Sequence, residues 1–368
     1  MTSTTSSLPT APVAPQHPKT LETHRNRRSD PYHWLRDRDD PAVIDYLKAE
    51  NAYTEAAMSH TEALLQQLYD EMLSRIQETD LSVPYRYGDY YYYSRTEEGK
   101  AYGINCRKQG SLDADEEILL DSNQLAEGQE YFSLGDFDVS PDHKLLAYST
   151  DTNGSERYTL VFKTLGSNAH FDEHIADVGG VAWANDNKTV FYVRIDDAHR
   201  PYQLWRHQLG SDPSGDVLIY EETDESFYVS VGTTRSEAYL MLYINSKVTS
   251  EVSILDADQP LGNFQMIQPR QPGVEYWLAH HPGNGGTSGD SSDPGTDRFY
   301  IITNEDAINF KLMVTPVATP SKDHWREVIP HREDVMLSDL DVFADYLVIY
   351  ERQGGLPTIR VRNLATAD

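Results

Sequence analysis

From about Val83 onward the sequence repeats one unit: an aromatic-rich strand, a polar turn and a second strand. The first strands read Asp89-Tyr90-Tyr91-Tyr92, Leu146-Ala147-Tyr148-Ser149, Val190-Phe191-Tyr192-Val193, Tyr239-Leu240-Met241-Leu242, Phe299-Tyr300-Ile301-Ile302 and Tyr346-Leu347-Val348-Ile349. With Tyr91, Ala147, Phe191, Leu240, Tyr300 and Val348 as markers, the spacings are 56, 44, 49, 60 and 48 residues. A period of roughly 40–50 residues with short strands in each unit is the signature of a β-propeller. The two long spacings carry the acidic stretch Asp113 to Glu117 and a Gly/Ser-rich insertion from Gly283. A β-sandwich also has many short strands, but it has no reason to repeat at this length.

The expected fold is therefore all-β, with six blades between residues 81 and 368. The sixth supplies a third strand at Pro357 to Leu364 and no fourth, so the ring reads as cut before completion. Open strand edges of that kind promote aggregation. Ahead of the repeats, residues 31–80 read as a helical arm. Asp40-Pro41 is a helix start, and Val43, Tyr46, Leu47 and Tyr53 follow at helical spacing. Ser59 with Glu62 forms a second start of capping-box type, followed by the stripe Leu65, Leu68, Met72 and Ile76. Two such helices need a larger surface on which to bury their apolar faces. Residues 1–30 read as a flexible leader. They lack the apolar core of a signal peptide, and no later run approaches transmembrane length, so the expected location is cytoplasmic.

Composition excludes some partners. With 31 basic against 59 acidic residues, a net charge of −28 repels nucleic acid and anionic membranes and attracts cations. An acidic proteome or a salty habitat would leave the same imprint. Cys106 is the only cysteine, so no internal disulfide forms, and it reads as a small core residue.

Candidate reaction centres are few. The nearest string to a nucleophile elbow, Gly286-Thr287-Ser288-Gly289-Asp290, misses the final glycine and lies in the insertion, where nothing rigid aims Ser288. His280-His281 with Glu275 hints at a metal site, but adjacent strand residues point to opposite faces. Asp151, Asn153 and Glu156 mimic the opening of a calcium loop without its later ligands, and a blade turn explains them. The tyrosines 90 to 93 read as alternately buried strand residues rather than a binding patch. No P-loop, dinucleotide fingerprint or basic stripe is present. The expected catalytic, cofactor-binding and metal-ligating residues are none.

The wording of the chain is more specific. Pro31-Tyr32-His33-Trp34-Leu35-Arg36-Asp37 resembles the N-terminal arm of the prolyl oligopeptidase family of serine peptidases. Within that family it is similar to the oligopeptidase B group through Val181-Ala182-Trp183-Ala184-Asn185-Asp186 and Tyr202-Gln203-Leu204-Trp205-Arg206-His207. Further matches are Ile219-Tyr220-Glu221-Glu222 with Phe227-Tyr228-Val229-Ser230, Thr249-Ser250-Glu251-Val252, and Ile329-Pro330-His331-Arg332-Glu333 with Tyr350-Glu351-Arg352-Gln353. The resemblance runs in order from about Pro31 to Arg362. It implies a seven-bladed propeller capping an α/β-hydrolase domain, and cleavage of short basic peptides after Arg or Lys by a Ser-Asp-His triad. It places the triad in the hydrolase domain, so no site residue carries over and the chain alone is expected to be inactive. The arm would pack on that domain. The alternative reading is a free-standing propeller that binds proteins or peptides. Under the first reading, the chain arises from a gene fragment, frameshift or split gene.

Overall fold

The computed structural model describes residues 10–283 and 296–366. They divide into two compact units. One holds the residues up to Val83 together with Ser94–Lys100, and the other holds Pro84–Tyr93 and everything from Ala101 onward.

The first unit contains helices α1 (Pro41–Met58) and α2 (Glu62–Leu73). Asp40 caps α1 as its sequence indicates, accepting the Ala42 N–H at 2.9 Å, and Pro41 fills the first turn where no donor is needed. The capping box at Ser59 does not form. Ser59 instead donates back to the Ala56 carbonyl at 2.9 Å, and a single 3₁₀ turn joins the helices. The leader reading also needs correction over Lys19–Asp30. These residues pair as an antiparallel hairpin turned at His24-Arg25, both with positive φ, the backbone twist that a two-residue hairpin turn demands. Its residues are almost all polar, so hydrophobic periodicity gave no sign of it. Leu64, Leu65, Leu68, Tyr69, Met72 and Ile76 on and after α2 are all exposed. Among the described residues no helix is long and apolar enough to cross a membrane.

The second unit carries the propeller. Blade 1 is Tyr85–Tyr87, Tyr90–Arg95, Ile104–Gln109 and Glu116–Asp121. Blade 4 is Tyr228–Thr233, Tyr239–Asn245, Ser250–Asp256 and Gln265–Gln268, and blade 5 is Tyr276–His281, Arg298–Thr303, Lys311–Pro316 and Arg326–Ile329. Blade 6 has three strands: Val335–Val342, Tyr346–Gln353 and Leu356–Asn363. Each is an antiparallel meander in chain order, so the four-strand unit read from the repeat is the unit that folds.

Blades 2 and 3 share a strand. Blade 2 runs through Ser133–Val139, Leu145–Asp151 and Tyr158–Thr164 into the 14-residue strand His170–Trp183. That strand continues as the first strand of blade 3, followed by Thr189–Ile195, Pro201–Gln208 and Val217–Glu221. Its start pairs with Tyr158–Thr164, its end pairs with Thr189–Ile195, and a bulge separates Val178 from Val181. Gly179 and Gly180 make the bulge possible. A Cβ on Gly179 would meet Ile195 Cγ2 at 2.9 Å, and Gly180 has φ +155°.

The core lies between blades. Strand alternation sends Val190 and Tyr192 toward Phe162, Leu160 and Trp183 of the blade 2 side, while Phe191 and Val193 pack with Leu240, Leu242 and Ile244 of blade 4. The same scheme joins blades 4 and 5 through Met241, Ile254, Leu278 and Phe299, and blades 5 and 6 through Ile302, Leu312, Leu347 and Ile349. A blade therefore gains most of its apolar burial from its neighbours.

Candidate functional site

In blades 2, 3 and 4 the turns joining the first and second strands contact one another and make up what we call the rim. They are tied in series. The Asp142 N–H donates to Asn187 Oδ1 at 2.8 Å, and the Asn185 amide donates to the Glu237 carbonyl at 3.0 Å. Asp186 caps its own turn by accepting from Lys188 and Thr189 N–H, which holds its carboxyl below the usual range against the effect of burial.

One contact leaves this series and skips blade 5. Arg235, in the blade 4 turn, lies 3.7 Å from Asp341 of blade 6, and its guanidinium stands 4.2 Å over the Phe343 ring. Two residues on, the charge of Glu237 acts on Tyr87 of blade 1. Burial and that carboxylate push the Tyr87 hydroxyl well above its ordinary range, and burial pushes Glu237 up as well.

Beside them lies a carboxylate pair on the first strand of blade 2. Asp136 accepts the Ser149 hydroxyl at 2.9 Å, and burial still raises its pKa. Asp138 is pushed to about 7, first by burial and then by the charge of Asp136, against the N–H groups of Trp183 and Val139. Its charge in turn raises Tyr85 of blade 1 further, on top of burial. The rim is thus acidic, with aromatic hydroxyls facing the carboxylates.

The histidine pair behaves as strand geometry requires. His280 turns toward blade 4 and meets Ser236 Oγ at 2.6 Å through Nδ1 and Asp297 Oδ1 at 2.5 Å through Nε2. His281 turns the other way. Its Nδ1 accepts the Gly283 N–H at 2.9 Å, so Nε2 donates to the Ala344 carbonyl of blade 6 at 3.0 Å. The two side chains therefore staple blade 5 to both neighbours. Glu275 stays apart and meets Asn304. Among the described residues no cluster of His, Cys, Asp or Glu could hold a metal ion.

Ser236, His280 and Asp297 form a constellation that sequence reading missed: the blade 5 hairpin sets Asp297 beside His280, and Ser236 reaches them from blade 4. It contains the residue types of a nucleophilic triad, but its setting is that of a staple. The Ser236 oxygen also contacts Thr234 Oγ1 at 2.9 Å and receives the Ala238 N–H at 3.4 Å. That amide faces the serine oxygen itself rather than a developing oxyanion. His280 is buried against Tyr239 and Phe299, and burial holds its pKa below the ordinary value.

The remaining sequence candidates fall into place individually. Asp151 accepts N–H groups from Asn153, Gly154 and Glu156, closing a blade turn in which Glu156 takes a positive φ. The alternation expected of the tyrosine run is not found: the consecutive Tyr92 and Tyr93 are both buried, between packed faces of the blade, while Tyr90 packs under the Arg107 guanidinium at 4.1 Å. Cys106 is buried with Ile104 and Tyr93. Ser288 lies outside the described residues.

The distinctive runs of the sequence prove to be clamps between strands. Tyr220 and Arg270 both donate to Glu222 Oε2, at 2.8 and 2.6 Å, and Arg270 covers the Phe227 ring at 4.1 Å. Burial would raise the Glu222 carboxyl, but the Asp224 N–H, Arg270 and Tyr220 together hold it below its usual range. In blade 6, Arg332 and Arg360 converge on Glu351.

Comparison with known proteins fits this architecture. Residues 12–368 match the model of the prolyl oligopeptidase N-terminal β-propeller domain. Protease 2 of Moraxella lacunata is 35% identical over 358 residues, covering 95% of this chain and 50% of that protein. Dipeptidyl aminopeptidase BI of Pseudoxanthomonas mexicana is 35% identical over 382 residues, covering 98% and 51%. The structure of oligopeptidase B from Leishmania major superposes with a TM-score of 0.85 at 32% identity, over 96% of this chain and 51% of that one. The chain thus spans about half the length of the relatives it matches.

Proposed function

The chain belongs to the prolyl oligopeptidase family through its N-terminal β-propeller domain, and on that premise we propose that it is the substrate-gating portion of a serine oligopeptidase that cleaves short peptides after Arg or Lys. The observation that carries this reading is the ordered match along residues 12–368 to proteins twice as long. Their second half has no counterpart in this sequence, and we assign the nucleophile, its base and the oxyanion donors to a hydrolase domain of that half. The propeller's part is steric and electrostatic. A ring of packed blades admits only short, flexible segments, and a net charge of −28 with an acidic rim favours cationic ones. By itself the chain has no turnover under this proposal.

The exposed stripe on α2 supports the pairing. Leu65 is 68% exposed and Met72 60%, an apolar face of the kind that marks a protein interface. The test mixes the chain with the separately produced hydrolase half of a relative and measures association by titration calorimetry. Wild type is expected to bind, and Leu68→Glu with Met72→Glu to weaken binding at least tenfold without changing the melting of the chain. Equal binding by the variant, or no binding by wild type, contradicts the pairing and favours a free-standing module.

A further inference from the structure

We propose that the cleft between blades 3 and 4 is a binding site for a small amphiphilic amine, with Glu251 and Ser253 holding its ammonium and apolar walls holding its body. The cleft encloses about 470 Å³, inside the ~300–1,000 Å³ usual for small-molecule sites. Its origin lies in one residue. On the face that meets the preceding blade, a second-strand residue pairs with a third-strand residue. The pairs are Tyr148 with Val161 in blade 2, Tyr192 with Trp205 in blade 3 and Ile301 with Met313 in blade 5. In blade 4 the corresponding pair is Leu242 with Ser253. A serine thus stands where three other blades set a larger apolar side chain. The volume it leaves opens between Leu242 and Ile244 of blade 4 and Ile219 and Tyr220 of blade 3.

Two polar groups stand in this apolar wall. Val252 and Ile254 face blade 5, so strand alternation turns Glu251 and Ser253 together into the cleft. Both are buried, at 5% and 7% exposure. Ser253 Oγ has no hydrogen-bond partner among the described residues, a cost that a ligand donor removes. Arg270 meets Glu251 through Oε2, with its N–H at 3.1 Å and its Nε at 3.5 Å, and Oε1 accepts no hydrogen bond among the described residues. The same guanidinium serves Glu222 at 2.6 Å. Two buried carboxylates therefore share one cation, and one negative charge is left over. A bound ammonium offsets it, whereas a bound anion adds to it. Across the cleft Arg206 is half-buried and donates to the Pro260 carbonyl at 3.2 Å. Solvent screens that charge more than it screens the buried carboxylates. At the mouth, Leu261 and Met266 are exposed and extend the apolar walls outward.

Titration calorimetry of the whole chain with hexylamine tests the site and requires no peptidase activity, so its outcome is separate from that of the gating reading. Wild type is expected to bind hexylamine at millimolar concentration and hexanoate at least tenfold more weakly. Ser253→Met, which copies blade 5, is expected to abolish binding while melting at or above the wild-type temperature. Ser253→Val, which copies blade 2, is a milder filling and is expected to weaken binding at least threefold. Glu251→Gln is expected to weaken hexylamine at least tenfold and to leave hexanoate no weaker than before. No heat with hexylamine, tighter binding of hexanoate, or equal binding by wild type and both Ser253 variants overturns the proposal.

Discussion

Trp183→Ala is expected to lose about 3–5 kcal/mol of stability in urea denaturation, the range for deleting a large buried aromatic side chain. Trp183 is 2% exposed and ends the strand that blades 2 and 3 share. Its ring meets Phe162 edge-on at 5.9 Å, and its indole N–H donates to the Asp138 carbonyl of blade 2 at 3.0 Å. Removing it empties the interface between blades 2 and 3 and leaves that carbonyl without its side-chain donor. Trp183→Phe keeps most of the packing and loses the hydrogen bond, so a smaller cost of about 1–2 kcal/mol is expected. Equal losses in the two variants would mean that the hydrogen bond, not the packing, dominates.

Asp138→Asn is expected to stabilise the chain at pH 8 and to flatten its pH dependence. The folded protein holds the Asp138 proton up to about pH 7, against an ordinary value of 3.8. A carboxyl with a raised folded pKa favours the folded state when protonated. Its contribution is largest below the ordinary carboxyl range and is lost as pH rises through about 7. At about 1.4 kcal/mol per pH unit, a rise from 3.8 to about 7 costs the folded chain about 4 kcal/mol at pH 8. The amide carries no charge to desolvate and still accepts a backbone N–H. Denaturation of both proteins at pH 5 and pH 8 measures the difference. A variant less stable than wild type at pH 8 would contradict the assignment.

The propeller was legible because its signal is repeated: each blade needs an aromatic or aliphatic second strand, flanked by turn residues, to fill the space between blades. Asp40-Pro41 was legible because capping is local chemistry. Ser59 shows the limit of that rule, since the same hydroxyl reached the carbonyl behind it rather than the amide ahead. The hairpin at Lys19–Asp30 was invisible to periodicity because its strands bury almost nothing. The shared strand of blades 2 and 3 was hidden for another reason. Gly179-Gly180 reads as a break, yet the ladder continues across it through a bulge. At the rim, the opposite orientations of His280 and His281 followed from strand geometry. Their partners did not, because Ser236 and Ala344 come from the neighbouring blades and Asp297 from the far strand of a hairpin with a long insertion.

If the propeller gates chemistry performed elsewhere, as proposed, Ser236 is inert, and its reactivity is the most direct test. The purified chain should be treated with a fluorophosphonate that labels activated serines and assayed on a fluorogenic Arg-Arg peptide. No covalent label and no release above the uncatalysed rate are expected. Stoichiometric labelling of Ser236, with turnover that Ser236→Ala abolishes, would contradict it.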